Sequence, residues 1–164
     1  MSVTFKGSPV TLLGKELKVG DTLPDFVLVD NGLEEVKSSS LAAPLVLVAV
    51  PSLDTSVCDM EVRNFNAKAG SLPGVHIYAI SMDLPFAQAR WCGAAGVEAV
   101  QTLSDYRLRE FGEATGTYVK ELGLLARAVF VIDQNKKVVY AEYVPEIGDQ
   151  PNYDAVYSKL QELV

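Results

Sequence analysis

The chain is poor in the residues that bind metals and build disulfide frameworks: it holds two cysteines and one histidine among 164 residues. Cys58, Cys92 and His76 show no paired ligand spacing, so they do not make a zinc site. No Cys-x-x-Cys occurs, which sets aside an ordinary dithiol oxidoreductase. Neither a glycine-rich phosphate loop nor a nucleophile elbow is present. Basic residues are in the minority, 14 against 21 acidic, for a net charge of −7. That balance argues against nucleic acid or an anionic membrane as the main partner. The longest apolar run, Pro44 to Pro51, is far too short to span a bilayer. The opening Met1-Ser2-Val3-Thr4-Phe5-Lys6-Gly7 has no charged n-region and no apolar h-region, so a cytoplasmic protein is expected. In that compartment two cysteines read as reduced thiols rather than a permanent staple. Repeats, low-complexity tracts and linkers are absent too.

Apolar residues make up 49% of the chain and charged ones 21%, a ratio that excludes a disordered protein. The length fits one domain over residues 1–164, large enough to bury a core unaided. Val3 to Gly14 reads as a hairpin of VTFKG and VTLLG strands around Ser8-Pro9. A strand is expected over Asp25–Asp30, closed by Asn31-Gly32, and a buried strand over Leu45–Val50. A helix follows from about Thr55 to Ala69, on which Val57, Glu61, Phe65 and Lys68 fall near one line and Val62 joins the apolar stripe. Val75–Ser81 reads as a strand containing His76, a core or edge residue. Pro85 suits the first position of a helix over Leu84–Cys92 that ends near Gly93 and Gly96. A strand at Val100–Leu103 and a helix around Tyr106–Phe111 come next. The segments Arg127–Asp133 and Lys137–Tyr143 form a hairpin, and Tyr153–Val164 a closing helix. This order fits a thioredoxin-like α/β sandwich, a central mixed sheet flanked by helices, with an added N-terminal β-hairpin.

The segment Pro51-Ser52-Leu53-Asp54-Thr55-Ser56-Val57-Cys58 places a thiol in the first turn of a helix fed by a buried strand. The free N–H groups of such a turn favour an anion, and a thiolate is one. A free thiol titrates near 8.5, and lowering that to about 6 takes about 3.4 kcal/mol. A helix N-terminus supplies ~0.3–1 kcal/mol, or up to ~2 when partly buried. A reactive Cys58 therefore needs a cation, best an arginine, which stays charged and donates several bonds. Arg63, Arg90, Arg107, Arg109 and Arg127 all qualify by position, and Arg127 opens a strand that would hold it rigidly. Asp59, next to Cys58, opposes activation modestly. Thr55 reads first as an N-cap, a role compatible with a hydroxyl that bonds the thiolate or a peroxide oxygen. Pro51 is a turn-former whose ring also shields a thiol from water. Trp91 reads as core or interface packing. Two readings stay open for Cys58 and Cys92: inert buried hydrophobes or reactive thiols.

The run Pro51 to Cys58 resembles the Pro-x-x-x-Thr/Ser-x-x-Cys motif of peroxiredoxins. Ser81 to Gly93, Gly123 to Asp133 and the opening Phe5 to Leu12 resemble one subfamily, the bacterial thiol peroxidases, which are atypical two-cysteine peroxiredoxins. The resemblance implies a thioredoxin fold and a peroxidase without metal, haem or other cofactor. It implies Cys58 as the peroxidatic cysteine and Cys92 as the resolving cysteine, joined as an intramolecular disulfide. Thr55 would bond the peroxide, Arg127 would supply the cation and Pro51 would shield the site. It further implies hydroperoxide substrates, thioredoxin as reductant and a homodimer. A peroxide sensor and a binding module with inert thiols are the rival readings.

Overall fold

The computed structural model describes residues 1–163. In chain order it has β1 (Val3–Phe5), β2 (Ser8–Val10), β3 (Leu12–Leu13), β4 (Val27–Val29), β5 (Glu35–Lys37) and β6 (Leu45–Ala49). Then come α1 (Ser56–Ala69), β7 (His76–Ser81), α2 (Pro85–Ala95), β8 (Val100–Ser104), α3 (Glu110–Thr115), β9 (Tyr118–Val119) and β10 (Leu124–Leu125). Finally β11 (Ala128–Ile132), β12 (Val138–Tyr143) and α4 (Tyr153–Gln161) complete the chain. The closing helix thus stops short of Val164, which lies outside the described residues.

The main sheet runs β12-β11-β6-β7-β8-β4-β5. Strands β6, β7 and β8 are parallel and the other pairs antiparallel, so it is the mixed sheet expected. All five residues of β6 are buried, because paired strands flank both its edges and layers cover both its faces. Leu45, Leu47 and Ala49 pack with Phe26, Phe111 and Phe130. Val46 and Val48 face the other way, with Cys58, Val62 and Phe65 of α1, Trp91 of α2 and Val156 and Leu160 of α4. The alternation of β6 therefore assigns α1, α2 and α4 to one layer.

Several boundaries differ from the sequence reading. The N-terminal hairpin turns at Lys6-Gly7, both at positive φ, and not at Ser8-Pro9, which lie in β2 opposite Phe5 and Thr4. Leu12–Leu13 pairs instead with β9 in a small β10-β9-β3 sheet. Helix α2 continues through Gly93 to Ala95 and ends at Gly96 in the left-handed region, where a glycine carries no Cβ strain. The helix expected at Tyr106–Phe111 begins later, at Glu110, because the buried Asp105 carboxylate accepts the N–H groups of Phe111 and Gly112. His76 is exposed at the first position of β7, so the core alternative for it is overturned. No helix among the described residues is long and apolar enough to cross a membrane.

Candidate active site

Strand β6 ends at Ala49, and its carboxyl end is where an α/β sheet presents ligands. Buried Pro51 follows directly. The loop after it is held by one carboxylate. Asp83, just past β7, accepts from Ser52 Oγ at 2.7 Å, Leu53 N at 2.8 Å and Ser81 Oγ at 2.8 Å. Thr55 then caps α1: its Oγ1 accepts from the Cys58 N–H at 3.2 Å and donates to the Ser52 carbonyl at 3.2 Å. Such a cap contributes about 1 kcal/mol. Burial of Val62 and Phe65, both fully enclosed, contributes about 1.5–3 kcal/mol each. Packing fixes the helix, and the cap fixes its first turn.

Cys58 lies in that turn with no solvent exposure. Register explains how a residue far along the chain reaches it. Strand β11 runs antiparallel to β6 with Ala128 opposite Ala49, so Arg127, one step earlier, arrives at the end of β6 that carries the loop. Its guanidinium is 2% exposed. Nη2 donates to Cys58 Sγ at 3.2 Å, Nη1 to Glu61 Oε1 at 2.5 Å and Nε to the Ile147 carbonyl at 2.7 Å. Burial works against the charge of Arg127, but Glu61 and Cys58 outweigh it, and its pKa lies above the ordinary value. Of the five candidate arginines this is the one at the thiol. Arg63 pairs with Asp59, and Arg107 with Glu35.

Glu61 is the residue the sequence reading missed. It is fully buried, its Oε2 has no hydrogen-bond partner among the described residues, and burial pushes its pKa from 4.5 to about 7 against the pull of Arg127. The signal was an acid on the line of Val57 and Phe65, where α1 should be apolar. While Glu61 is protonated, the charge of Arg127 is left to the sulfur. Once Glu61 ionises, the two acids share it.

Asp59, expected to oppose Cys58 only modestly, is engaged elsewhere: its Oδ1 accepts from Trp91 Nε1 at 2.8 Å and its Oδ2 from Arg63 Nε at 2.9 Å. Cys92 is partly buried on α2, with Sγ 3.5 Å from Thr102 Oγ1. Both cysteines are free thiols. Thr55, Cys58 and Arg127 are thus brought together, with Pro51 at the strand end and Cys92 on the neighbouring helix. Among the described residues no three His, Cys, Asp or Glu side chains converge as metal ligands would.

The redoxin family model matches residues 18–157. The chain belongs to the redoxin family. A thiol peroxidase of Clostridium acetobutylicum is 60% identical over 161 residues, covering 98% of each chain. One from Bacillus subtilis is 55% identical over 163 residues, covering 99% of this chain and 98% of its own. A solved peroxiredoxin-like protein from Aquifex aeolicus superposes with a TM-score of 0.91 at 44% identity, over 99% of this chain and 97% of that one. Within the redoxins the chain is a peroxiredoxin, an enzyme of thiol-dependent peroxide reduction. The thioredoxin-like sandwich with its N-terminal hairpin is the fold expected of it.

Proposed function

We propose that this peroxiredoxin reduces hydrogen peroxide and organic hydroperoxides with Cys58 as the attacking thiolate. The observation that carries the reading is the contact from Arg127 Nη2 to Cys58 Sγ, 3.2 Å long and closed to solvent. The thiolate attacks the distal peroxide oxygen, the O–O bond breaks, and the leaving oxygen takes a proton to depart as water or alcohol. Sulfur gains the oxygen and is oxidised by two electrons to a sulfenic acid. Arg127 donors stabilise the charge moving onto the leaving oxygen. The Thr55 hydroxyl bonds the incoming peroxide, and Pro51 keeps bulk water from the sulfur. The Cys92 thiol then displaces the sulfenic oxygen as water, forming an intramolecular disulfide, and the dithiol of thioredoxin reduces it by exchange. The protein works in the cytoplasm as a homodimer.

The deciding experiment is intact mass and disulfide mapping after one equivalent of peroxide, quenched within seconds. A loss of two hydrogens and a Cys58–Cys92 linked peptide within one chain are expected. Cys58→Ser should abolish turnover, and Cys92→Ser should permit one turnover and then over-oxidise at Cys58. An unchanged dithiol would sink the reading.

A further inference from the structure

Each cysteine is followed or preceded by a residue of the same hydrogen bond. Asp59 succeeds Cys58, Trp91 precedes Cys92, and the indole Nε1 donates to the Asp59 carboxylate at 2.8 Å. Arg63 completes the link. It donates to Asp59 Oδ2 at 2.9 Å and to the Ala95 carbonyl at 3.3 Å, and its guanidinium lies 5.8 Å from the Trp91 ring centre. The first turn of α1 is thereby fastened to the last two turns of α2. We infer that Asp59 and Trp91 are positioning residues that set the rate of the resolving step, a clasp that must open before the two sulfurs can meet.

The inference rests on the proposed roles of Cys58 and Cys92. A disulfide brings two Cα atoms within about 7 Å and fixes the torsion about the S–S bond. Cysteines held in two regular helices meet that requirement by unwinding locally. The peptide units of Cys58–Asp59 and Trp91–Cys92 are shared, so neither cysteine leaves its helix without carrying off half of the clasp. Buried Gln88 anchors the first half of α2, its Nε2 donating to Ser81 Oγ at 3.0 Å and to the Leu103 carbonyl at 2.9 Å, but the last turn has no basic residue and Gly93 in the helix interior lowers its stability. Arg63, reaching the Ala95 carbonyl from α1, supplies the cation that α2 lacks at its own end. The clasp therefore stabilises the closed form, in which Arg127 touches Cys58. It prolongs the life of the sulfenic acid, and a longer-lived sulfenic acid meets a second peroxide more often and passes to the sulfinic state.

A merely structural role predicts a change in stability and no change in that partition. Asp59 and Arg63 are 35% and 50% exposed, so their ion pair contributes little to global unfolding. Local opening, by contrast, breaks this contact among few others. Trp91→Phe keeps an aromatic, though smaller, side chain and removes the donor. Asp59→Asn keeps an acceptor for the indole and removes the ion pair.

The test is rapid acid quench of the reduced full-length protein with one equivalent of hydrogen peroxide, followed by intact mass. In Trp91→Phe the sulfenic acid should pass to the disulfide ~tenfold faster, a factor equal to about 1.4 kcal/mol. Asp59→Asn should lie between it and the parent, peroxide consumption should keep its initial rate, and the sulfinic fraction in excess peroxide should fall. If Trp91→Phe folds poorly, Asp59→Asn decides alone, because Trp91 is the single tryptophan and its emission follows the opening directly. A disulfide that forms at the parental rate, or more slowly, in a folded variant overturns the clasp while leaving the proposed chemistry intact. No disulfide in the parent protein would remove both.

Discussion

Replacing Arg127 by lysine keeps the charge and gives up the fork. Three guanidinium nitrogens serve a sulfur, a carboxylate and a carbonyl, and an ammonium cannot hold all three in one plane. The second-order rate of peroxide reduction should fall about 10²–10³-fold, the usual cost of losing an aligned donor to developing charge. Stopped-flow peroxide consumption checks it, and a loss under threefold would count against Arg127 as the activating cation. At this scale the sequence was legible where neighbours in the chain are neighbours in space. Thr55 and Cys58 share one turn, so spacing alone placed them. Arg127 was one of five options because nothing local states the register of β11 on β6. Glu61 was written in the apolar stripe of α1 and went unread, since a buried acid makes sense only beside its cation.

Between residues and fold stands the loop from β6 to α1, which owes its shape to Asp83. Three donors converge on that carboxylate, and an amide offers one acceptor oxygen where there were two. Asp83→Asn should cost about 1–2 kcal/mol, a few degrees in Tm for a chain of this length. It should also slow peroxide reduction, because Thr55 and the first turn of α1 hang from this loop. Thermal melts and rate constants read together test it: a lowered Tm with an unaltered rate would mean the loop holds its shape without Asp83. Helix α1 was readable because burial on one face imprints a period on it, and β6, β7 and β11 because burial on both faces writes a nearly continuous apolar run. Short strands such as β3, β5, β9 and β10 carry no period over two or three residues. They exist only by pairing, and pairing is not written locally. Likewise α3 starts where Asp105 accepts its first N–H groups and not where its apolar residues begin.

For the molecule as a whole, two buried acids tie stability to pH. Burial raises Glu61 from 4.5 to about 7 and Asp105 from 3.8 to about 6. A raised folded-state pKa means that the folded protein holds a proton the unfolded chain has released. The stabilisation is full below about pH 4 and is lost as pH rises through 6 to 7. Glu146 acts in the opposite sense. Its carboxylate accepts from the Gly148 and Gly7 N–H groups and from Thr4, which lowers its pKa to about 2, so its contribution is present above about pH 4.5 and lost toward pH 2. Denaturation at pH 5 and pH 8 should show the parent protein losing stability between them, with Glu61 contributing to the fall as it ionises. Glu61→Gln should flatten that fall, and an unchanged slope would mean that Glu61 is ionised throughout. The burial of Cys58 has a practical consequence as well. Its sulfur has no exposed surface, whereas Cys92 is partly open. Bulky alkylating reagents select thiols by access before reactivity, so a maleimide label applied to the native protein marks Cys92 and passes over Cys58. A labelling survey of cell extracts would score the reduced Cys58 as blocked, and would follow the redox state of this protein through Cys92 alone.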